Sequence, residues 1–136
     1  MAVWEKGFQI RTASRIQLIN ITSQIGKIVA EGTVREGIAT VFSPHTTTAI
    51  IINENEDRLV QDLETAIREL IPWDRPYKHN SIDDNAPSHI IGSFLGPSIG
   101  IPISGGNVSL GTWQSIFLVE LDGPRNRQVK VKVVGE

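Results

Sequence analysis

The chain has 136 residues, of which 40% are hydrophobic and 21% charged, and its formal net charge is −2. This composition is typical of one globular domain covering residues 1–136, and the weak negative charge argues against general nucleic-acid binding. No charge-free run of about 18 apolar residues predicts a transmembrane helix. The chain has no cysteine, which excludes disulfides, thiolate metal sites and a cysteine nucleophile. Because the N-terminus has no signal-peptide pattern either, we expect a cytoplasmic protein.

The first half of the chain predicts short strands and one helix. Four segments are predicted strands, and they lie at residues 8–11, 15–18, 37–42 and 48–52. The last of these segments is too apolar to be exposed on either face. Asn20 or Thr22 is expected to cap a helix that continues to about Glu31, because the apolar residues between them share one helical face and Gly32 follows as a stop.

The clearest helix is predicted over residues 56–70 and ends before Pro72. Its expected buried stripe consists of Leu59, Leu63, Ala66, Ile67 and Leu70. A long polar loop follows at residues 73–87, and loops of this length inside a compact domain tend to be functional. A short helix is then predicted to begin near Ala86 and to end at Gly96.

The C-terminal third predicts mainly strands. Residues 99–104 form one of them, and residues 112–121 and 128–134 are expected to pair as a hairpin. Trp113 is expected in the core. Valines and lysines alternate in the last strand, so that one of its faces is expected to be buried and the other solvated. Because strands and helices are interspersed without a regular βαβ repeat, the predicted fold class is α+β with a largely antiparallel sheet.

All three histidines of the chain lie in polar segments, where imidazoles are able to bind metals or transfer protons. His45 precedes three threonines, whose hydroxyls can donate to an anion such as phosphate; a turn in which these hydroxyls satisfy loose backbone groups explains them equally well. His79 and His89 do not have a zinc-binding spacing. The run Asp83-Asp84-Asn85 between them suits metal ligation, orientation of imidazoles, or simply the N-terminus of a helix.

The remaining candidates are polar groups at strand ends and in one turn. Gln114 and Glu120 share one face of an extended strand, and that face either meets solvent or lines a site. Glu54 ends an apolar strand and is a candidate ligand, a candidate base, or a partner of the following helix. Arg125 and Arg127 lie in a turn, where they can bind phosphate as bidentate forks, although solvated arginines explain them as well.

Taken together, these motifs resemble those of the YjbQ-like proteins, long described as an uncharacterised family and now often labelled secondary thiamine-phosphate synthase. The motifs occur in the family's order over nearly the whole chain, and they are Phe42-Ser43-Pro44-His45-Thr46-Thr47-Thr48-Ala49, Ile52-Asn53-Glu54, Tyr77-Lys78-His79-Asn80, Asp84-Asn85-Ala86-Pro87-Ser88-His89, Gly111-Thr112-Trp113-Gln114 and Asp122-Gly123-Pro124-Arg125. Each motif is short, but the ordered set is specific. The chain is therefore identified as a member of this family.

The resemblance implies a single-domain α+β protein built around a largely antiparallel β-sandwich with two to three helices and assembled as a homotrimer. It also implies that His45, His79 and His89 gather near a subunit boundary, where a metal or an anion is expected. The activity attributed to the family joins a hydroxymethylpyrimidine diphosphate to a thiazole phosphate with loss of pyrophosphate. The expected partners are therefore small phosphorylated molecules and further copies of the chain, with no nucleic acid and no membrane.

The leading hypothesis is metal-assisted chemistry on a phosphorylated or pyrophosphorylated substrate. The three histidines are expected to bind a divalent ion, zinc in the first place, with magnesium possible for a diphosphate substrate. The residues expected to hold the substrate are Thr46, Thr47, Asn85, Gln114 and Arg125. The residues expected to act as acid or base, or to orient imidazoles, are His45, Glu54, Asp84 and Glu120. The alternatives are a metal-dependent phosphate-ester hydrolase and a trimeric metal- or small-molecule-binding protein without catalysis.

Overall fold

Eight strands and three α-helices build two antiparallel sheets in a computed structural model that describes all 136 residues. In chain order the elements are β1 Ala2–Arg11, β2 Gln17–Asn20, α1 Thr22–Glu31, β3 Gly37–Phe42, β4 Thr48–Glu54, α2 Asp57–Leu70, a 3-10 helix Lys78–Ser81, α3 Ala86–Leu95, β5 Ser98–Ser104, β6 Asn107–Val108, β7 Gln114–Glu120 and β8 Asn126–Gly135. The five-stranded sheet has the order β1-β8-β3-β5-β6, and the three-stranded sheet has the order β2-β7-β4. The α+β class and the largely antiparallel architecture are therefore confirmed.

The larger hydrophobic core lies between the two sheets. β8 supplies Val129, Val131 and Val133, all buried, while Lys130 and Lys132 alternate with them on the other face. This alternation follows from the period-two geometry of a strand and confirms the predicted buried and solvated faces. Helix α1 adds its apolar stripe to the same core. The five-stranded sheet is thus held to the three-stranded sheet by side chains from one face of each.

A second core lies on the opposite face of the three-stranded sheet. Two residues of β7, Phe117 and Val119, pack there against Ile67 of α2 and Ile91 of α3. Leu121, which directly follows β7, packs in the same core. The residues that alternate with them on β7 belong to the first core. β7 is therefore buried on both faces and forms the centre of the molecule.

The predicted hairpin of the last two strands is wrong. β7 pairs with β2 and β4, whereas β8 pairs with β1 and β3, so the chain crosses from one sheet to the other at residues 121–125. Both edges of β8 are occupied, by β1 along ten residues and by β3 along six, so no edge of β8 is left for β7. The turn contains a cis peptide bond between Gly123 and Pro124.

Two burial predictions are corrected as well. Trp113 precedes β7, and it is 73% exposed rather than part of the core. Helix α2 contacts the second core through Val60, Leu63 and Ile67, so its packed stripe is rotated relative to the predicted one, and Leu70 is 59% exposed. The reason is that α2 packs only at the margin of the second core, and hydrophobic periodicity predicts a stripe without predicting how much of it a neighbour covers.

The predicted N-cap of α1 is corrected, because the N-cap is Ile21, which makes no side-chain cap hydrogen bond, while Asn20 before it accepts from the amide of Thr22 at 3.0 Å. The starts of α2 and α3 match their local sequences. Glu56 caps α2 by accepting hydrogen bonds from the amides of Arg58 and Leu59, and α3 has a proline in its first turn, where its missing amide is not needed. The β5–β6 turn uses Gly105 and Gly106, which both have positive φ angles. None of the helices has the length and apolar character needed to cross a membrane.

Candidate functional site

One polar cavity of about 480 Å³ brings the three histidines together. It lies where the segment between β3 and β4 meets the 3-10 helix, the start of α3 and the β7–β8 turn. Apart from Pro44 and Ile82 its lining side chains are polar or charged, and they are His45, Thr46, Thr47, His79, Asp83, Asn85, His89, Asp122, Arg125 and Arg127. Segments that are remote in the sequence therefore line one polar cavity, and its charged and hydrogen-bonding side chains suit the binding of a charged molecule.

The deepest part of the site is an ion pair between strands of different sheets. Arg127, at the start of β8, is 5% exposed, and Glu120, at the end of β7, is fully buried. The Nε of Arg127 donates to Oε1 of Glu120 at 2.8 Å, and its Nη2 donates to the other oxygen. The hydroxyl of Thr12 and the amides of Leu121 and Asp122 also donate to this carboxylate, at 2.7 to 3.0 Å.

These contacts determine the protonation of Glu120. Burial by itself raises the pKa of Glu120, but the hydrogen bonds from Arg127, Asp122 and Thr12 outweigh it, and the net pKa is lowered. A carboxylate that is held ionised and has no exposed surface is poorly placed to exchange protons with a ligand. Its position suits the fixing of Arg127.

Arg127 keeps part of its guanidinium free for the cavity. Its Nη2 also donates to the hydroxyl of Thr47 at 2.8 Å and to the carbonyl of Thr47 at 3.3 Å. Its Nη1 makes no hydrogen bond to the protein, and the residue lines the cavity. The guanidinium is thus held rigidly on one side and offers unused donors on the other, an arrangement suited to an anion.

His45 is locked in one tautomer. Its Nε2 accepts a hydrogen bond from the backbone amide of Gln128 at 2.9 Å, so this nitrogen is unprotonated and Nδ1 carries the proton of the neutral ring. Burial and the positive charge of Arg127 lower the pKa of His45 by more than Glu120 raises it. The neutral imidazole is therefore favoured, with Nδ1–H as a donor.

His79 and His89 form a separate pair within the same cavity. Their ring centroids are 4.8 Å apart, and the planes meet at 77°. His79 belongs to the 3-10 helix and His89 to α3, and the two elements pack together. Neither imidazole makes a hydrogen bond to the protein, so both rings have nitrogens available to a ligand.

The predicted three-histidine metal centre does not fit the side chains of a single chain. No three histidine, aspartate or glutamate side chains are grouped closely enough to hold an ion. His45 has one nitrogen occupied by the Gln128 amide and the other protonated, so it lacks the free lone pair that a metal ligand needs. The metal role of His79 and His89 stays a prediction.

Asp122 organises the opposite wall of the cavity. It accepts hydrogen bonds from Nδ2 of Asn85 at 2.8 Å and from Nη2 of Arg125 at 3.1 Å. Asn85 is 4% exposed, and because its Nδ2 is committed to Asp122, the orientation of its amide is determined. Its Oδ1 has no hydrogen-bond partner in the chain. The amide of Arg125 donates to Thr12 at 2.8 Å, which ties this turn to the end of β1.

Four of the predicted site residues do not line the cavity, and one of them, Glu120, is the fully buried partner of Arg127. Glu54 and Gln114 are paired at one end of the β4–β7 ladder, whereas His45 lies beyond its opposite end, where Thr48 pairs with Glu120. About six residues of strand, or roughly 20 Å, separate the two ends. Asp84 is exposed, and only its backbone carbonyl is engaged, by Arg15. Within one chain the structure therefore brings together Thr46, Thr47, Asn85, Arg125 and the histidines in the cavity, whereas Glu54, Gln114, Asp84 and Glu120 lie outside its lining.

Arg127 and Asp122 line the cavity but are missing from the set of residues expected to hold the substrate; the sequence indicates Arg127 only as one of two turn arginines. The strand pattern contains a signal for Arg127, since it stands two residues before Val129 and so shares the buried face of β8. A buried arginine requires an ionised partner, and Glu120 is the acid at the end of β7, the buried strand that precedes β8 in the sequence. No comparable local signal indicates Asp122, because its partners come from α3 and from its own turn.

Two further cavities adjoin the first. One, of about 380 Å³, shares His45, Thr46 and His89 with it and is otherwise lined by Thr48, Gly92, Ser93 and Pro97. The other, of about 500 Å³, shares His79 and His89 and is lined by Tyr77, Lys78, Ala86 and Ile90. The imidazoles thus form the wall between a charged cavity and two cavities of lower charge.

Comparisons with known proteins identify the relatives of this chain. Residues 6–136 match the family model described as UPF0047 protein YjbQ-like. The chain is 47% identical over its whole length to a UPF0047 protein of Methanothermobacter thermautotrophicus, 95% of which is covered, and 35% identical to the UPF0047 protein YugU of Bacillus subtilis, with 96% of this chain and 98% of that protein covered. A crystal structure of a YbjQ-like protein of unknown function from Sulfolobus solfataricus superposes with a TM-score of 0.97 at 42% identity and covers 99% of both chains. The chain therefore belongs to the UPF0047, YjbQ-like protein family.

Proposed function

We propose that the protein is an enzyme of the secondary thiamine-phosphate synthase type that acts on small phosphorylated or pyrophosphorylated molecules. The observation that carries the proposal is the rigid presentation of Arg127 beside three imidazoles in one cavity. Its Nη1 has no partner in the protein, and its other donors are fixed by Glu120 and Thr47. A buried cation with free donors has its natural counterpart in a phosphate oxygen.

The anion is held by donors that need no rearrangement. Arg127 is oriented before the ligand arrives, so that it stabilises charge developing on a leaving phosphate without a reorganisation cost. The hydroxyl of Thr46 and the exposed guanidinium of Arg125 line the same cavity and add donors for the outer oxygens. The neutral His45 contributes a further donor through Nδ1–H.

Proton transfer is assigned to the paired imidazoles. His79 and His89 have no hydrogen bond to the protein, so either ring in its protonated form is free to deliver a proton to the oxygen of the departing pyrophosphate. Histidine is the side chain that most often acts as a general acid or base in enzymes. Their edge-to-face contact at 4.8 Å holds both rings at the boundary between the cavities.

The adjoining cavity of about 380 Å³ favours transfer between two reactants over simple hydrolysis. It has no lysine, arginine or acidic side chain in its lining, so it suits the uncharged ring of a reactant whose diphosphate occupies the charged cavity. In the proposed step the carbon–oxygen bond to pyrophosphate breaks, and its electron pair leaves on the pyrophosphate. A ring nitrogen of the second reactant supplies the electron pair of the new carbon–nitrogen bond. Positioning of the two reactants supplies much of the rate.

Assistance by zinc or magnesium and assembly as a homotrimer remain predictions that rest on the family resemblance. The chemistry assigned above uses only side chains of this chain. It therefore does not depend on whether an ion is present, and the assay must be run with and without divalent ions.

The test is an assay of the purified protein with hydroxymethylpyrimidine diphosphate and thiazole phosphate. Pyrophosphate release and the coupled product are measured separately, in zinc, in magnesium and in a chelator. We expect both products in equal amounts and a fall in kcat/KM of at least about tenfold in Arg125→Gln, with His89→Asn impaired in kcat. Arg11→Gln is the matched control, because Arg11 is exposed and has no side-chain hydrogen bond. Release without coupling would replace the transferase by a hydrolase, and no turnover in any condition would favour a binding protein.

A further inference from the structure

The segment that carries His79 has very little attachment to the rest of the molecule. Residues 72–84 connect α2 to α3, and nearly all of their hydrogen bonds stay within residues 72–89, among them the amides of Asn80, Ile82 and Asp83. Two hydrogen bonds tie this segment to the start of α3, from the amide of Asn85 to the carbonyl of Asp83 and from the amide of Ala86 to Oδ1 of Asn80. Beyond α3 its one hydrogen bond comes from Nη2 of Arg15 to the carbonyl of Asp84 at 3.0 Å. Apart from its contacts with α3, the segment is therefore held to the rest of the molecule by hydrogen bonding at this one point.

Arg15 holds the segment at both of its ends. Its guanidinium carbon lies 4.3 Å from the centroid of the Trp73 ring, at the beginning of the segment, while Nη2 binds Asp84 at its end. The same nitrogen lies 3.8 Å from Oδ1 of Asp122, the residue that also binds Asn85 and Arg125. One side chain thus links both ends of the segment to the turn that forms a wall of the cavity.

We propose that Arg15 is a positioning residue, which holds His79 against His89 by clasping the segment 72–84. It lies outside the cavity and does not touch the ligand. The physical basis is the entropy of the segment. Without Arg15, the ends lose their cation–π contact and their only hydrogen bond beyond α3, and the segment opens locally more often. Its effect on turnover rests on the proposed function, whereas its effect on the segment does not.

The experiment compares Arg15→Gln with Arg11→Gln, which removes the same charge from an exposed arginine without side-chain hydrogen bonds. Amide hydrogen exchange is followed by mass spectrometry in peptides covering residues 77–84 and, as an internal reference, residues 114–120 of β7. We expect exchange in the first peptide to become about tenfold faster in Arg15→Gln, with β7 unchanged and with Arg11→Gln like the wild type. Arg15→Lys retains the charge above Trp73 but lacks the planar fork, so its exchange should lie between the two.

A second measurement separates positioning from general destabilisation. The ring protons of His79 carry a ring-current shift from His89, and in Arg15→Gln this shift should decrease while the signals of the β7 residues stay in place. Trp73→Leu removes the other half of the clasp and should change the same signals. Equal exchange in Arg15→Gln and Arg11→Gln, or a loss of protection in β7 as large as that in residues 77–84, overturns the proposal. Faster exchange confined to the segment supports it, even if the wild-type protein shows no turnover and the proposed function fails.

Discussion

Arg127 and Glu120 pair across the two sheets, with the Arg127 Nε 2.8 Å from the Glu120 Oε1, although β8 and β7 share no ladder. The pair lies at the end of the crossing at residues 121–125, directly behind the polar cavity. It therefore ties the sandwich together at the point where the candidate site is built. One contact stabilises the fold and at the same time aims a cation at the cavity.

Removal of one partner of this pair should be costly. Glu120→Gln leaves the charge of a buried arginine without its carboxylate, and we expect the free energy of unfolding to fall by about 3–5 kcal/mol in urea titrations. The double variant Glu120→Met with Arg127→Met should recover a large part of this loss, because it removes both buried charges. Glu31→Gln, which breaks the exposed pair with Lys6, serves as the control and should change little. A Glu120→Gln protein as stable as the control would contradict the structural role given to the pair.

We expect pyrophosphate to bind to the cavity, with an affinity that depends on the ionic strength. By titration calorimetry we expect Arg125→Gln to weaken the affinity for pyrophosphate by about tenfold and Thr46→Val by a smaller factor, since a charged donor contributes more than a neutral hydroxyl. The affinity should decrease as the ionic strength rises. Arg11→Gln should bind like the wild type. If all four proteins bind equally, the anion site lies elsewhere.

The lowered pKa of His45 predicts a pH dependence of stability. As the pH falls below the ordinary value of 6.5, the unfolded chain takes up a proton at His45 before the folded chain does, so the free energy of unfolding decreases until the pH passes the folded pKa. His45→Gln removes this contribution, and we expect its stability to fall less than that of the wild type between about pH 7.5 and pH 5. The lowered pKa of Glu120 acts only below 4.5 and does not disturb this window. Thr46→Val changes the cavity without removing a titrating group, so its free energy of unfolding should depend on pH as in the wild type. If His45→Gln shows the same pH dependence as Thr46→Val, the lowered pKa of His45 is contradicted.

The zinc content of variants distinguishes a three-histidine centre from the arrangement seen in one chain. In the neutral ring of His45, Nε2 accepts the Gln128 amide and Nδ1 carries the proton, so neither nitrogen has a free lone pair. His45→Asn should therefore leave the metal content of zinc-equilibrated, dialysed protein unchanged. The His89 ring makes no hydrogen bond to the protein and is therefore available as a zinc ligand. Any zinc that the wild-type protein retains should be lost in His89→Asn. Elemental analysis by mass spectrometry measures this directly. Loss of zinc in His45→Asn would show that the ring rotates away from Gln128 to become a ligand.

Local sequence patterns predicted much of the secondary structure and part of the site. The strand at residues 37–42 and the start of α3 near Ala86 are found as predicted, and β8 alternates as its valines and lysines indicate. The segments carrying the histidines were recognised as candidates from their polar surroundings. Glu54 and Gln114 show the limit of this reasoning, because a motif does not reveal at which end of the sheet its residues lie.

The sequence by itself determined the α+β class and most helices and strands, because these depend on periodicity and turn residues within a few positions of each other. Membership of the family followed from the resemblance of an ordered set of short motifs. Only the tertiary structure decided that β7 and β8 belong to different sheets, that Trp113 is exposed, and that Arg127 rather than Arg125 is the buried cation of the cavity. The physical reason is that strand partners, burial and ion pairs are interactions between residues distant in the chain. The backbone geometry that produces a local pattern is the same whichever neighbour a strand finally meets.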